Sequence, residues 1–139
     1  MENILPQKFV KTYQKSQVIF SEASVGKEMY IIYSGKIKLH TKQASGHRKL
    51  LASLGEGDFF GEMALVDDSP RSATAIADED NTQLVVLDQN KFMYLLRNQP
   101  DFALVVMEKL CKMLRVANNA LNADKAKYDT TKRRRKKPA

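Results

Sequence analysis

The segment 60–75, FGEMALVDDSPRSATA, combines residue types that can bind an anion with one that can bind a sugar. Gly61 lets the backbone approach a ligand closely at the start of a predicted short helical turn. The unpaired backbone N–H groups at the start of such a turn point towards an anion. In this segment these groups belong to Glu62, Met63, Ala64 and Leu65.

Side chains of the same segment complete a set suited to a phosphate and a ribose. Arg71 follows a turn at residues 67–70 that can fold it back over the anion, where its guanidinium can bind two phosphate oxygens in a planar fork. Ser72 adds a hydroxyl donor, and the Glu62 carboxylate can accept hydrogen bonds from a ribose hydroxyl. With small residues such as Ala73 beside them, these side chains predict a nucleotide monophosphate site.

The elements that must position this segment are short β-strands. Residues 36–42 alternate in polarity and place Ile37, Leu39 and Thr41 on one face. Further strands are predicted at residues 29–33, 47–54, 73–77 and 83–87, with turns at 34–35, 43–46, 55–58 and 78–81. Many short strands at regular spacing predict a mainly β fold, an antiparallel, jelly-roll-like β-roll.

Helices flank the predicted roll. A short helix is expected over residues 90–97, and Asp101 is expected to cap a longer one that runs to about Tyr128. An apolar seam at heptad spacing runs along one face of the longer helix. This seam can pack on the roll, contact a second subunit or cover a ligand. Its members are Ala103, Met107, Leu110, Leu114, Ala117 and Leu121.

Positive charge is concentrated at the C-terminus. Of the net charge of +7, six charges come from residues 132–137, which leaves +1 for the rest of the chain. Residues 129–139 are therefore predicted to be a disordered basic tail that binds polyanions weakly or only aids solubility. The predicted organisation is a roll at 1–98, lid or dimer helices at 99–128 and this tail.

Composition limits the compartment and the reaction class. The N-terminus has no signal-peptide pattern, and the single cysteine, Cys111, excludes an internal disulfide, so we expect a cytoplasmic protein. His40 and His47 do not have metal-ligand spacing, and Asp67 and Asp68 suit a turn better than acid–base chemistry. We expect neither an enzyme nor a metal or cofactor.

The segment 60–75 closely resembles the phosphate-binding cassette of the cyclic nucleotide-binding domain family, and we call it the cassette. The lead-in at residues 54–59, LGEGDF, resembles the corresponding part of that family. The stretches at 17–22 and 30–32, with Gly26 and Gly35, resemble its first strands and glycine turns. The resemblance covers roughly residues 10–122. It implies a non-catalytic sensor that binds a cyclic nucleotide.

The resemblance also implies roles for individual residues. The acceptor for the ribose hydroxyl falls on Glu62, the phosphate-binding arginine on Arg71 and a second phosphate donor on Ser72. Ser72 is compatible with cAMP, and its hydroxyl leaves cGMP open. One departure is Ala23, which stands where the family often has glycine. We expect that position to lie in a distant turn without contact to the cassette.

Contacts to the base are expected from the C-terminal helix, where Arg115, Asn118 and Asn119 are candidates and Met113 is a further one. The same helix is expected to act as a lid or as the interface of a homodimer. The output of such a sensor requires a partner protein that this chain does not identify.

Two other functions remain open. The chain can be a fragment of a DNA-binding transcription regulator of the catabolite activator type, which needs a helix-turn-helix after the long helix. Alternatively, it is an adaptor of the same fold that has lost the ligand.

Overall fold

The computed structural model describes residues 9–136, with side chains up to Tyr128. A short 3-10 helix, Glu62–Leu65, interrupts the strands, and two α-helices follow them, α1 (Gln89–Asn98) and α2 (Pro100–Lys136). The strands are β1 (Val10–Tyr13), β2 (Val18–Phe20), β3 (Met29–Ser34), β4 (Ile37–Lys42), β5 (Arg48–Leu54), β6 (Phe59–Phe60), β7 (Thr74–Ala77) and β8 (Thr82–Leu87).

The strands form two antiparallel sheets of four strands each. The first sheet has the order β1-β8-β3-β6 and the second the order β2-β7-β4-β5. Because β2 pairs with β7, Phe20 lies opposite Ala75, and β2 comes next to the end of the cassette. The predicted antiparallel roll, with a short cassette helix and a long C-terminal helix, is confirmed.

An apolar core fills the roll. The buried cluster consists of Tyr30, Ile32, Ile37, Phe60, Ala75, Ala77, Leu84 and Val86. In β3 the residues Met29–Ile32 are buried without alternation, so both faces of the first sheet are covered. Leu95 of α1 and Phe102 at the start of α2 are fully buried as well. This core gives β2, β3 and β7 fixed positions around the cassette.

The predicted alternation of β4 is confirmed at its start, where Ile37 is buried and Lys38 is exposed. The alternation of residues 36–42 places His40 on the face opposite Ile37, but both of its ring nitrogens are shielded from solvent and have no hydrogen-bond partner among the described residues. The register between β4 and β5 shifts between Leu39 and His40, and a bulge of this kind re-aims the side chain.

Both helices start slightly earlier than predicted. The side chain of Asp88 caps α1 by accepting a hydrogen bond from the backbone N–H of Lys91 at 2.8 Å. Helix α2 begins at Pro100, so Asp101 lies within its first turn and not at its cap. Proline suits the first helical position because its missing N–H has no acceptor there anyway.

Helix α2 also ends later than predicted. It continues past Tyr128 to Lys136, through residues that the sequence analysis assigns to a disordered tail. The basic residues of this stretch are good helix formers, which agrees with the longer helix. Residues 137–139 of the predicted tail lie outside the described residues.

The chain divides into two compact units, Met1–Phe102 and Ala103–Ala139. Within the second unit, the larger apolar members of the predicted seam are exposed, among them Leu114 at 64% and Leu121 at 66%. Between residues 9 and 136, no helix combines the length and the apolar character that crossing a membrane requires.

Candidate functional site

The first part of the cassette forms the predicted helical turn. Gly61 stands at the N-cap of the 3-10 helix with a φ of 75°, in the left-handed region that favours glycine. The N–H groups of Glu62 and Met63 have no acceptor within the helix, because they belong to its first turn. The N–H of Ala64 donates to the Gly61 carbonyl at 3.2 Å and is therefore already in use.

The next residues form the predicted turn that returns the chain to the site. The carboxylate of Asp67 accepts a hydrogen bond from the backbone N–H of Ser69 at 2.9 Å, which is a typical turn-forming contact. This contact confirms the interpretation of Asp67 as a turn residue. The chain that leaves the turn places Arg71 beside Gly61.

Arg71 is buried, with 8% of its surface exposed. One terminal nitrogen of its guanidinium, Nη1, donates to the Gly61 carbonyl at 3.2 Å. The other, Nη2, donates to the Glu28 carbonyl at 2.8 Å. The two carbonyls hold the guanidinium at the start of the 3-10 helix.

Aromatic rings lie against the same guanidinium. Its central carbon is 4.2 Å from the centroid of the Phe20 ring and 5.9 Å from the centroid of the Tyr30 ring. The rings of Tyr30 and Phe60 are stacked, with centroids 5.2 Å apart, and Phe20 is tilted against both. Arg71 therefore lies on an aromatic cluster at the edge of the core.

The positive charge of Arg71 has no counter-charge in the part of the chain that the structure describes. Arg71 forms no ion pair there, and its Nε is buried without a hydrogen-bond partner. Burial is the main cause that raises the pKa of Tyr30 to about 12, so this phenol is neutral beside Arg71 at physiological pH. A buried cation without a counter-charge is costly, and an anionic ligand would lower that cost.

Two glycines make room for the guanidinium. A Cβ at Gly61 would lie 2.8 Å from Nη1 of Arg71, and a Cβ at Gly26 would lie 2.6 Å from Nη2. Real Cβ atoms do not approach other atoms this closely. Any larger residue at either position would therefore displace Arg71.

The expectation that Ala23 lies in a distant turn is wrong. The backbone N–H of Ala23 donates to the Arg71 carbonyl at 2.8 Å, and the N–H of Arg71 donates to the Ser24 carbonyl at 2.8 Å. The pairing of β2 with β7 brings this turn beside the end of the cassette. Ala23 has a φ of 69°, which explains why glycine would suit this position better.

The other candidate residues of the cassette differ in their exposure to solvent. Glu62 and Leu65 are half-buried, Met63 and Ser72 are exposed, and Ala73 is buried immediately before β7. The Glu62 carboxylate makes no hydrogen bond or ion pair with any described residue, so it is free to accept a ligand hydroxyl.

The candidate base contacts belong to a different part of the chain. Arg115, Asn118 and Asn119 are exposed residues of α2 in the second compact unit. Their contact with a base stays a prediction.

A cavity of about 400 Å³ lies beside the cassette. Its lining includes Ala64, Leu65 and Asp88 and does not include Arg71 or Glu62. Among the residues described, no group of His, Cys, Asp and Glu side chains could hold a metal ion.

Sequence reasoning missed most of the surroundings of Arg71. Phe20, Gly26, Glu28 and Tyr30 contribute rings, clearance or a carbonyl, and they come from β2, β3 and the turn between them. The resemblance assigns Gly26 to a glycine turn of the family, but its clearance role depends on strand pairing. That pairing joins segments far apart in the sequence.

Comparison with known proteins agrees with this geometry. The family model described as "Cyclic nucleotide-binding domain" matches residues 10–99. The chain is 36% identical over 112 residues to the "Cyclic AMP receptor protein" of Thermus thermophilus, covering 81% of this chain and 51% of that protein. It is also 36% identical over 85 residues to human "cGMP-dependent protein kinase 2", covering 60% of this chain and 11% of the kinase.

Solved structures extend the agreement to three dimensions. The crystal structure of the Thermus thermophilus catabolite activator protein matches with a TM-score of 0.70 and 35% identity, over 82% of this chain and 53% of that one. The chain spans about half the length of the bacterial relatives it matches. With its cassette, its two four-stranded sheets and these matches, the chain belongs to the cyclic nucleotide-binding domain family.

Proposed function

We propose that this domain is a regulatory sensor that binds cAMP in the cassette. The phosphate lies against Arg71 and the first N–H groups of the 3-10 helix, with Ser72 as a second donor. The ribose hydroxyl donates to Glu62. Gly61, Met63, Ala64, Leu65 and Ala73 form the small and backbone-lined wall of the same site.

One observation carries this proposal: Arg71 is buried without a counter-charge among the described residues and with an unpaired Nε. Burying a charge is expensive unless a partner neutralises it. A guanidinium has five N–H donors, and only two of them are used here, in hydrogen bonds to carbonyls. The remaining donors suit the two oxygens of a cyclic phosphate.

The choice of cAMP rests on two supports. Ser72 follows Arg71, and the Thermus thermophilus relative is named for cyclic AMP. The human relative is named for cGMP, so cGMP is the alternative ligand to test. Arg115, Asn118 and Asn119 are the proposed contacts to the base.

Each region of the chain has its own proposed role. Residues 1–98 hold the ligand, and residues 99–128 act as a lid and as the interface of a homodimer. The seam on α2 supports the interface, because Leu114 and Leu121 are exposed and exposed apolar patches commonly mark contact surfaces. Residues 129–139 form the basic segment that contacts polyanions weakly, and we place the protein in the cytoplasm.

Control of transcription is the second candidate function. It is favoured by the relative from Mycobacterium tuberculosis named "CRP-like cAMP-activated global transcriptional regulator", which is 28% identical over 109 residues. In that case this domain binds the ligand, and a separate DNA-binding part of the protein responds to ligand binding. A ligand-free adaptor is the remaining alternative.

Native mass spectrometry of freshly purified protein tests the proposal. We expect a retained mass that matches cAMP, or binding of added cAMP at micromolar concentration. A retained mass of cGMP would change the ligand and keep the site. Failure to bind either nucleotide at millimolar concentration would support the ligand-free adaptor.

A further inference from the structure

We propose that Phe20 is a positioning residue for Arg71, whose ring holds the guanidinium in its binding orientation before the ligand arrives. This inference rests on the proposed function, because it concerns the same anion site. It adds a residue outside the cassette, on β2, to the machinery of binding.

The geometry is that of a close cation–π contact. The central guanidinium carbon lies 4.2 Å from the Phe20 centroid, well within the distance of about 6 Å at which such contacts are attractive. The Tyr30 ring is further away, at 5.9 Å. Phe20 is therefore the main aromatic partner of Arg71.

The setting makes this contact stronger than one at the surface. Arg71 is 8% exposed, and no described carboxylate pairs with it. The cost of burying its charge is offset by hydrogen bonds to the carbonyls of Gly61 and Glu28 and by contact with the face of Phe20. A cation–π contact gains strength when water is excluded.

The three contacts act on different degrees of freedom. The carbonyls of Gly61 and Glu28 each hold one terminal nitrogen, and the ring covers the plane between them. Together they fix the orientation of a side chain that has much rotamer freedom. Ligand binding then costs less conformational entropy at Arg71, which is the benefit of preorganisation.

The alternative is that Phe20 only fills space. It packs against the core cluster, so a smaller side chain would also disturb the fold. A test must therefore change the electrostatics of the ring and keep its shape. Fluorinated phenylalanine does this, because each added fluorine weakens the negative face of the ring while the ring itself stays in place.

Phe92 of α1 provides a matched control outside the cassette. It is half-buried, like Phe20, and its ring centroid lies 5.7 Å from that of Phe102, the same distance that separates the rings of Phe20 and Tyr30. Among the described contacts, Arg71 lies over Phe20 and Tyr30 and not over Phe92. Fluorination there should disturb packing to a similar extent without touching the cation.

The first measurement is the affinity for cAMP of protein with trifluorophenylalanine at position 20 or 92. We expect about a 10-fold loss at position 20 and less than about 2-fold at position 92, with similar melting temperatures. The loss at position 20 should disappear when Arg71→Ala is also present. Equal effects at the two positions, or a loss that persists without Arg71, would overturn the proposal.

The second measurement needs no ligand and separates this inference from the proposed function. NMR of the ligand-free protein measures how fast the end of the Arg71 side chain rotates about its Nε–Cζ bond. We expect slow rotation in the native protein and faster rotation with trifluorophenylalanine at position 20. Equal rotation rates would refute the positioning role even if cAMP binds, whereas restrained rotation without nucleotide binding would refute only the function.

Discussion

The backbones of Ala23 and Arg71 are hydrogen-bonded, with 2.8 Å between the Ala23 nitrogen and the Arg71 carbonyl oxygen. The same turn accepts a hydrogen bond from the Arg71 N–H through the carbonyl of Ser24. The turn that follows β2 therefore fixes the main chain of Arg71, while Gly61 and Glu28 hold its side chain. A change in the conformation of this turn would therefore shift the main chain of Arg71.

Replacing Ala23 by glycine should stabilise the fold by about 1 kcal/mol, because alanine is unfavourable at positive φ and Ala23 has a φ of 69°. The melting temperature should rise by a few degrees, as scanning calorimetry can measure. Ala44→Gly is the control, since Ala44 is not among the residues with positive φ. An equal rise in both variants would contradict the strain at Ala23.

Replacing Gly61 by alanine should lower both stability and cAMP affinity. The new Cβ would lie 2.8 Å from Nη1 of Arg71 and 3.3 Å from the Glu28 carbonyl. We expect at least about a 10-fold loss of affinity, because a misplaced guanidinium loses part of its contact with the phosphate. Calorimetric titration with cAMP measures this loss.

Gly46→Ala is the control for that variant. Gly46 also has a positive φ, of 87°, but a Cβ there would meet nothing within 4 Å. It should cost stability alone and leave the affinity unchanged. If both variants lost affinity equally, the clearance at Gly61 would have no special role.

Most of the fold could be predicted from the sequence, because alternation and turn residues are local signals. The cassette could also be located, since its glycine, acid and arginine lie within one segment. Phe20 and Glu28 could not be assigned to the site, because their contact with Arg71 depends on which strands pair. The end of α2 was misplaced because a run of basic residues is compatible with both a helix and a disordered tail.

Glu62→Gln should weaken cAMP binding by only about 3-fold to 10-fold, because the amide still offers one acceptor to the ribose. The expected partner of Glu62 is the 2′-hydroxyl. Replacing cAMP by 2′-deoxy-cAMP should therefore cost less affinity in Glu62→Gln than in the native protein. Full additivity of the two changes would contradict contact between Glu62 and this hydroxyl.

The double substitution Leu114→Lys and Leu121→Lys should convert a homodimer to monomers. Both side chains are exposed members of the seam, and two lysines there would place charge in an apolar interface. Sedimentation equilibrium measures the change in mass.

The control places lysines at Val116 and Ala123, which have the same spacing on the opposite side of α2. This variant should stay dimeric. A native protein that remains monomeric at high micromolar concentration, with and without cAMP, would end the dimer proposal.

The most direct test of the central claim is isothermal titration of native protein and Arg71→Ala with cAMP. Removing one partner of a buried charged contact costs about 2–5 kcal/mol, so affinity should fall between about 30-fold and several thousand-fold. The variant should lose little stability, because removal of a buried charge without a counter-charge offsets the loss of its hydrogen bonds to the Gly61 and Glu28 carbonyls. Near-native affinity of Arg71→Ala would contradict the assignment of the cassette as the ligand site.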